Sequence, residues 1–418
     1  MSLQSELLII AKQAQKAARF LSIISTKEKN DAIKAMAKEL LKNSKSIIAA
    51  NKLDVKSAKK EKRNSAFIDR LSLNQSGIKK MSNDLLSVAA LADPVSEVIK
   101  TWKRPNGLQL STVRVPLGVI GIIYESRPNV TSDCAGLCLK TGNAVILRGG
   151  KESIHSNLAI YKAISSALKK VGFPQGCISL IQTIDRQAVN EMLKLNDYID
   201  LIIPRGGESL IRSVVENSRI PVIKHYKGIC HTYIDKYADF TMAQEIAFNA
   251  KVQRPSTCNA MECLLVHENI ASDFLPDMIK RFQKTGVEIR GCAKTAKIIP
   301  GIKLATNQDY ATEYLELILS VKIVRSLKQA TDHIAKYGSK HSEAIVTENL
   351  RNGVSFLNSV DAACVYLNAS TRFTDGNQFG LGAEIGVSTD KLHARGPMGL
   401  EELTTYKYII MGNGQIRT

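Results

Sequence analysis

The chain has eight cysteines but no CxxC pair, and its seven histidines form neither an HExxH nor a CxxC…HxxxH pattern. Such local ligand spacing marks most zinc sites, so no metal site is expected. Aromatic residues are scarce, 6% of the chain with a single tryptophan, and none interleaves with the densest basic run, Lys56 to Arg63. Single-strand nucleic-acid readers combine cations with stacking rings, so that run reads as a solvated helix face and no nucleic-acid partner is expected. No apolar stretch approaches the roughly 20 residues that span a bilayer, so no membrane partner is expected either. The amino terminus lacks a basic n-region. Its apolar run stops at Lys12 and helical periodicity continues through Phe20, which predicts an amphipathic surface helix rather than a signal peptide. These absences together predict a reduced, cytoplasmic protein.

What is present is ordinary for a soluble enzyme, with 44% hydrophobic and 23% charged residues in 418, enough for two or three domains. The net charge of +18 suits small anionic ligands such as a phosphorylated substrate or a nucleotide. Residues 4 to about 95 read as helices, with apolar repeats at three and four over 26–43, 47–62 and 78–91. Asn106-Gly107 between alternating apolar residues predicts a hairpin over 98–115, which is marginal alone and needs a further strand.

From Leu117 the pattern becomes βα alternation. Predicted strands at 119–124, 144–148, 178–181, 201–203 and 222–224 alternate with helices at 132–140, 153–171, 186–194 and 208–217. That is a parallel, doubly wound α/β sheet. It contains no GxGxxG. Its glycine-rich turns, Arg148-Gly149-Gly150-Lys151 and Pro204-Arg205-Gly206-Gly207, each follow a strand and open a helix, so each is either a phosphate cradle or a plain tight turn. A second α/β unit starts near Thr232, with strands at 262–267, 317–323 and 342–346 and helices at 272–284 and 327–333. The tail at 403–411 is another alternating strand.

Cys258 sits in Gln253-Arg254-Pro255-Ser256-Thr257-Cys258-Asn259-Ala260, a polar, proline-broken segment between a helical run and an apolar one. A thiol on a loop at an element end can have its pKa lowered by backbone N–H groups, and the thiolate is the nucleophile. The competing reading is a small buried hydrophobe.

Three stretches carry a resemblance: Tyr124-Glu125-Ser126-Arg127-Pro128-Asn129-Val130-Thr131-Ser132; Gln253 to Ala260; and Asn368-Ala369-Ser370-Thr371-Arg372-Phe373-Thr374-Asp375-Gly376, continuing through Gly380-Leu381-Gly382-Ala383-Glu384-Ile385-Gly386 to Leu392-His393-Ala394-Arg395-Gly396-Pro397-Met398-Gly399-Leu400. Over essentially its whole length the chain resembles the aldehyde dehydrogenase superfamily. The resemblance implies an aldehyde dehydrogenase-like α/β fold with a Rossmann-type nucleotide-binding domain (1–100 and 117–229, with a return segment about 371–403). It also implies a catalytic α/β domain at 230–370 and a bridging hairpin, 101–116 with 404–418, for homo-oligomerisation.

It further implies Cys258 as nucleophile and Asn129 as the side-chain donor of an oxyanion hole. Glu313 falls where the family contacts the nicotinamide ribose, with Glu316 as the alternative. Arg148 takes the place of a lysine near the adenine ribose, where a cation suits the 2′-phosphate of NADPH. Gly206 and Gly207 are the expected phosphate turn. Arg127 and Arg395 are candidates for the substrate's carboxylate and phosphate, since arginine forks match both, and each is equally well a brace for its own loop.

Aldehyde-oxidising relatives carry a glutamate base in the segment that here reads Lys224-His225-Tyr226-Lys227-Gly228-Ile229-Cys230-His231, without a carboxylate. Its absence favours the branch in which phosphate, not water, meets the thioester. The implied reaction is NADPH-dependent reduction of L-glutamyl 5-phosphate to L-glutamate 5-semialdehyde in proline biosynthesis, with functional coupling to glutamate 5-kinase. An acylating or aldehyde-oxidising oxidoreductase of the same superfamily is the alternative.

Overall fold

The computed structural model describes residues 2–417 and divides into two compact units. The first holds residues up to 224 with 380–386 and 398 onward; the second holds 225–379 and 387–397. The expected return segment is therefore split, and His225, expected with the nucleotide-binding domain, belongs to the unit that carries Cys258.

In the first unit the amino-terminal helices form where their sequences provide caps and apolar stripes. Ser2 accepts from Ser5 N–H ahead of the helix Leu3–Leu21, which buries Leu7, Ala11, Ala14, Ala17, Ala18 and Leu21. Ser25 and Glu28 form a capping box at the start of Thr26–Lys42. The basic run lies at the exposed end of the helix Ser44–Lys60, as expected.

A four-stranded parallel sheet runs in the order Ile178–Leu180, Ala144–Gly149, Val119–Tyr124, Leu201–Arg205. Every residue of Val119–Tyr124 is buried, as a central strand covered on both faces requires. The strand expected at 222–224 shrinks to one bridge, Ile202 to Val222. Pro221 donates no hydrogen bond, so the segment touches the edge strand only through Pro221 O and Ile223 N. The hairpin forms as Val98–Lys103 against Gln109–Pro116, with Gly107 at φ +90°, and its missing partner is the chain's own strand Thr404–Met411.

The second unit is built on a seven-stranded sheet, parallel at every pairing. Its order is Lys303–Leu304, Glu288–Gly291, Ile318–Val324, Met261–His267, Cys230–Ile234, Ser342–Val346, Cys364–Leu367. Alternate residues of Met261–His267 feed opposite cores. Leu264 and Val266 pack with Phe274, Met278 and Phe282 of the helix Glu268–Lys284, while Cys263 and Leu265 pack with Tyr233, Ile345 and Phe356.

Beneath the sheet's amino edge, Lys251 Nζ bonds Glu262 Oε2 at 2.6 Å, with side chains 0% and 1% exposed. Removing one member leaves the other charge buried and unpaired. Lys251→Met is expected to cost about 3–5 kcal/mol of stability, measured by denaturant unfolding, and the double variant Lys251→Met/Glu262→Leu should recover most of it.

Candidate active site

Three neighbouring parallel strands start at one edge of the second sheet: Met261–His267, Cys230–Ile234 and Ser342–Val346. Parallel strands bring their leading residues together however far apart these lie in sequence. Cys258 lies three residues before the first strand, Gly228 two before the second and His341 one before the third. The ligating atoms of Cys258, His225 and His341 all lie within 4.8 Å of one another. Cys258 and His225 are half-buried and His341 is fully buried.

The loop that presents Cys258 is fixed by its neighbours. Asn259 Nδ2 donates to Thr374 O at 2.8 Å, Thr371 Oγ1 donates to Asn259 O at 2.8 Å, and Arg372 Nη1 bonds Asn259 Oδ1. Underneath, Gly228 permits direct backbone contact: a Cβ there would stand 1.8 Å from Cys258 O. Any larger residue must displace the nucleophile's own peptide, which is a close-approach role for glycine.

Both rings are oriented by second partners. His225 Nδ1 donates to Val387 O at 2.9 Å. His341 Nδ1 meets Ser342 Oγ at 2.8 Å. From Ser342 the hydroxyls continue to Thr374 Oγ1 at 2.6 Å and on to Tyr366 OH at 2.7 Å, so a buried ring is wired to a half-buried phenol.

Burial alone would raise the Cys258 thiol pKa. The charge of His341 and hydrogen bonds from His225 and His341 outweigh that and hold it well below the ordinary thiol range. Burial depresses His341, but the thiolate, its hydrogen bond, Glu313 and Glu343 raise it overall. Both shifts favour thiolate and imidazolium. The expected cause, backbone N–H groups at an element end, is replaced by two imidazoles. Because the thiol is depressed, its anion is lost only as pH falls through that lowered value. Alkylation of Cys258 by iodoacetamide at pH 6.5 should therefore run within about threefold of its rate at pH 9, where an ordinary thiol slows about a hundredfold.

Glu313 lies beside this cluster. Its Oε1 accepts from Gly228 N at 2.9 Å, and burial first, then the Cys258 charge, raises its pKa. Glu316, the alternative, is exposed. The segment 224–231 itself lacks a carboxylate, and Glu313, from elsewhere in the chain, bonds its backbone at Gly228. Arg395, in the same unit, gives Nη2 to Asp361 Oδ1 at 2.7 Å and shares that carboxylate with Lys391 and Lys340.

In the first unit, Asn129 precedes the helix Val130–Lys140, and its Nδ2 donates to Asp133 Oδ2 at 2.7 Å. Burial raises the Asp133 pKa to about 6 against the pull of that bond. Arg127 is exposed in the turn after Val119–Tyr124. Arg148 is 7% exposed; its guanidinium holds the carbonyls of Gly149, Ile184 and Asp185, and its Nε has no partner.

The strand order reverses between Val119–Tyr124 and Leu201–Arg205, the topological switch point where doubly wound sheets bind nucleotides at their carboxyl ends. Gly206 and Gly207 lie there, ahead of the helix Glu208–Asn217. A Cβ on Gly206 would stand 2.4 Å from Glu125 Oε2, and that oxygen accepts from Gly207 N at 2.9 Å. The turn thus holds an anion, the chain's own Glu125 carboxylate.

Residues 4–303 match the model of the aldehyde dehydrogenase family. The chain belongs to the aldehyde dehydrogenase family, whose members use nicotinamide dinucleotides. Within it the chain is 58% identical over 407 residues, 97% of each chain, to a gamma-glutamyl phosphate reductase from Clostridium kluyveri. It is 56% identical to that of Thermoanaerobacter pseudethanolicus, over 99% of this chain and 100% of the relative. The crystal structure of gamma-glutamyl phosphate reductase from Thermotoga maritima superposes with a TM-score of 0.97 at 49% identity, covering 99% of this chain and 100% of that one.

Proposed function

We propose that this protein is a gamma-glutamyl phosphate reductase that converts L-glutamyl 5-phosphate to L-glutamate 5-semialdehyde through a thioester on Cys258. The carrying observation is a thiol held as thiolate between two oriented imidazoles, in a chain similar from end to end to enzymes of that name. The thiolate forms a bond to the acyl carbon as the bond to phosphate oxygen breaks. The reaction takes up one proton, and His341 is the group to deliver it to the departing phosphate. The Ser342–Thr374–Tyr366 hydroxyls reload His341 from solvent. When bound, NADPH supplies the hydride that reduces the thioester. Arg148, Gly206 and Gly207 are proposed to hold its phosphates, and Glu313 its nicotinamide ribose. Collapse of the thiohemiacetal then returns the thiolate.

Asn129 remains the proposed oxyanion donor on the strength of its motif, and Arg127 and Arg395 remain proposed substrate ligands. Asn129→Ala should lower kcat about 10²–10³-fold with little change in Tm. A large fall in Tm with retained rate would assign the amide to Asp133 instead.

The protein is further proposed to be a cytoplasmic homo-oligomer, functionally coupled to glutamate 5-kinase. Oligomerisation is supported by the three-stranded sheet, whose last strand exposes Tyr406, Tyr408, Ile409, Ile410 and Met411. The function is tested in reverse: pyrroline-5-carboxylate with NADP should yield NADPH beyond one equivalent per active subunit only when phosphate is added. Sustained turnover without phosphate would instead identify the aldehyde-oxidising alternative, and sustained turnover on CoA in place of phosphate the acylating one.

A further inference from the structure

Two clusters of one cysteine and two histidines lie in the second unit, Cys258 with His225 and His341, and Cys263 with His231 and His333. Neither has a local sequence signature; both are assembled from residues far apart in the chain, His333 coming from the helix Leu327–Tyr337.

The interior cluster is chemically closed. Lys322 Nζ lies 3.1 Å from His333 Nδ1, and an ammonium can only donate, so that nitrogen accepts. The hydrogen of the neutral ring is then on Nε2, the atom 3.8 Å from Cys263 Sγ, and it leaves no lone pair for a cation.

The other cluster has the opposite wiring. His225 Nδ1 is spent on Val387 O and His341 Nδ1 on Ser342 Oγ, so each ring's Nε2 is the nitrogen left for a cation, which displaces any proton it carries. Orientation of ligating imidazoles by a second hydrogen bond on the far nitrogen is how proteins fix metal-binding histidines. Tetrahedral zinc, with Zn–S near 2.3 Å and Zn–N near 2.0–2.1 Å, sets its ligands about 3.5 Å apart. The donors here already lie within 4.8 Å, so contraction by about an ångström completes three positions. Water completes the fourth, since the Glu313 carboxylate is held by Gly228 N outside the three-donor cluster. Thiolate with imidazole is a donor set that selects zinc over magnesium or calcium.

We propose that Cys258, His225 and His341, with water in the fourth position, form a zinc-binding site. Cation bound there occupies the sulfur lone pairs and blocks every reaction of that thiol, making the site a reversible inhibitory one. The inference rests on geometry and donor chemistry and stands whatever substrate the thiol serves.

The test is titration of the full-length protein with Co²⁺ alone, followed by displacement with Zn²⁺. One equivalent of Co²⁺ should give a near-ultraviolet thiolate-to-cobalt absorption band, lost on adding Zn²⁺. Zn²⁺ should also slow iodoacetamide alkylation of Cys258, and EDTA should restore it. Cys258→Ser should abolish the band. His225→Ala, at a half-buried position that tolerates truncation better than His341, should weaken Co²⁺ binding by more than the ~10–100-fold typical of losing an outer-shell partner. Cys263→Ser should leave binding unchanged. No band, or a band that survives in Cys258→Ser and disappears in Cys263→Ser, overturns the proposal. Loss of catalytic function without loss of the band would count only against the reductase reading.

Discussion

Cys258→Ala is expected to lower turnover with pyrroline-5-carboxylate, phosphate and NADP by at least about 10⁴-fold, equivalent to about 5.5 kcal/mol of transition-state stabilisation. No other thiol can substitute. Cys134, Cys138, Cys177, Cys230, Cys263 and Cys364 are buried, and Cys292 lies in another part of the fold, bonded to Thr295. The loop is held by Asn259 and seated on Gly228, not by the sulfur, so circular dichroism and Tm should match the parent protein. Activity within tenfold of the parent would rule out covalent catalysis at this residue.

The second large effect belongs to His341. His341→Asn keeps a polar group beside Ser342 but removes the cation next to the sulfur and the proton source for phosphate. Loss of general acid–base help of this kind costs about 10²–10⁴-fold in kcat. A purely structural histidine could give a similar loss, so the alkylation profile separates the two cases. With the main charge that depresses the thiol gone, the inflection of alkylation rate against pH should move up toward the ordinary thiol value, because burial then acts with less opposition. A fall in kcat with an unmoved alkylation profile would remove His341 from the chemistry.

The parts of this picture legible in sequence are those written locally. Val119–Tyr124 reads as a buried strand from its own six residues, and Asn106-Gly107 announces its hairpin because only a few residue types accept φ as positive as the +90° found at Gly107. The segment around Cys258 shows its loop character in Pro255 and its polar neighbours. The family resemblance then supplied the nucleophile's role.

What sequence spacing misses is what the sheet assembles. His225 and His341 lie in different stretches, with ordinary neighbours and no spacing rule between them, and only strand order brings both to Cys258. For the same reason a search for CxxC or HExxH detects neither Cys–His cluster. Gly228 looks like any loop glycine until the Cys258 carbonyl is found against it. Glu313 was expected beside a ribose; its hydrogen bond to Gly228 also ties it to the thiolate's surroundings. At Gly206-Gly207 the turn's amide is taken by Glu125, which nothing in the turn's own sequence singles out.

The most direct measurement of the central claim omits phosphate. Pyrroline-5-carboxylate and NADP, mixed with enzyme in phosphate-free buffer, should give one rapid burst of one NADPH per active subunit and then stop. Intact-mass analysis of the quenched protein should show a single acyl adduct, located on the peptide that contains Cys258. Continued turnover, or a burst with no adduct on Cys258, would contradict the thioester account.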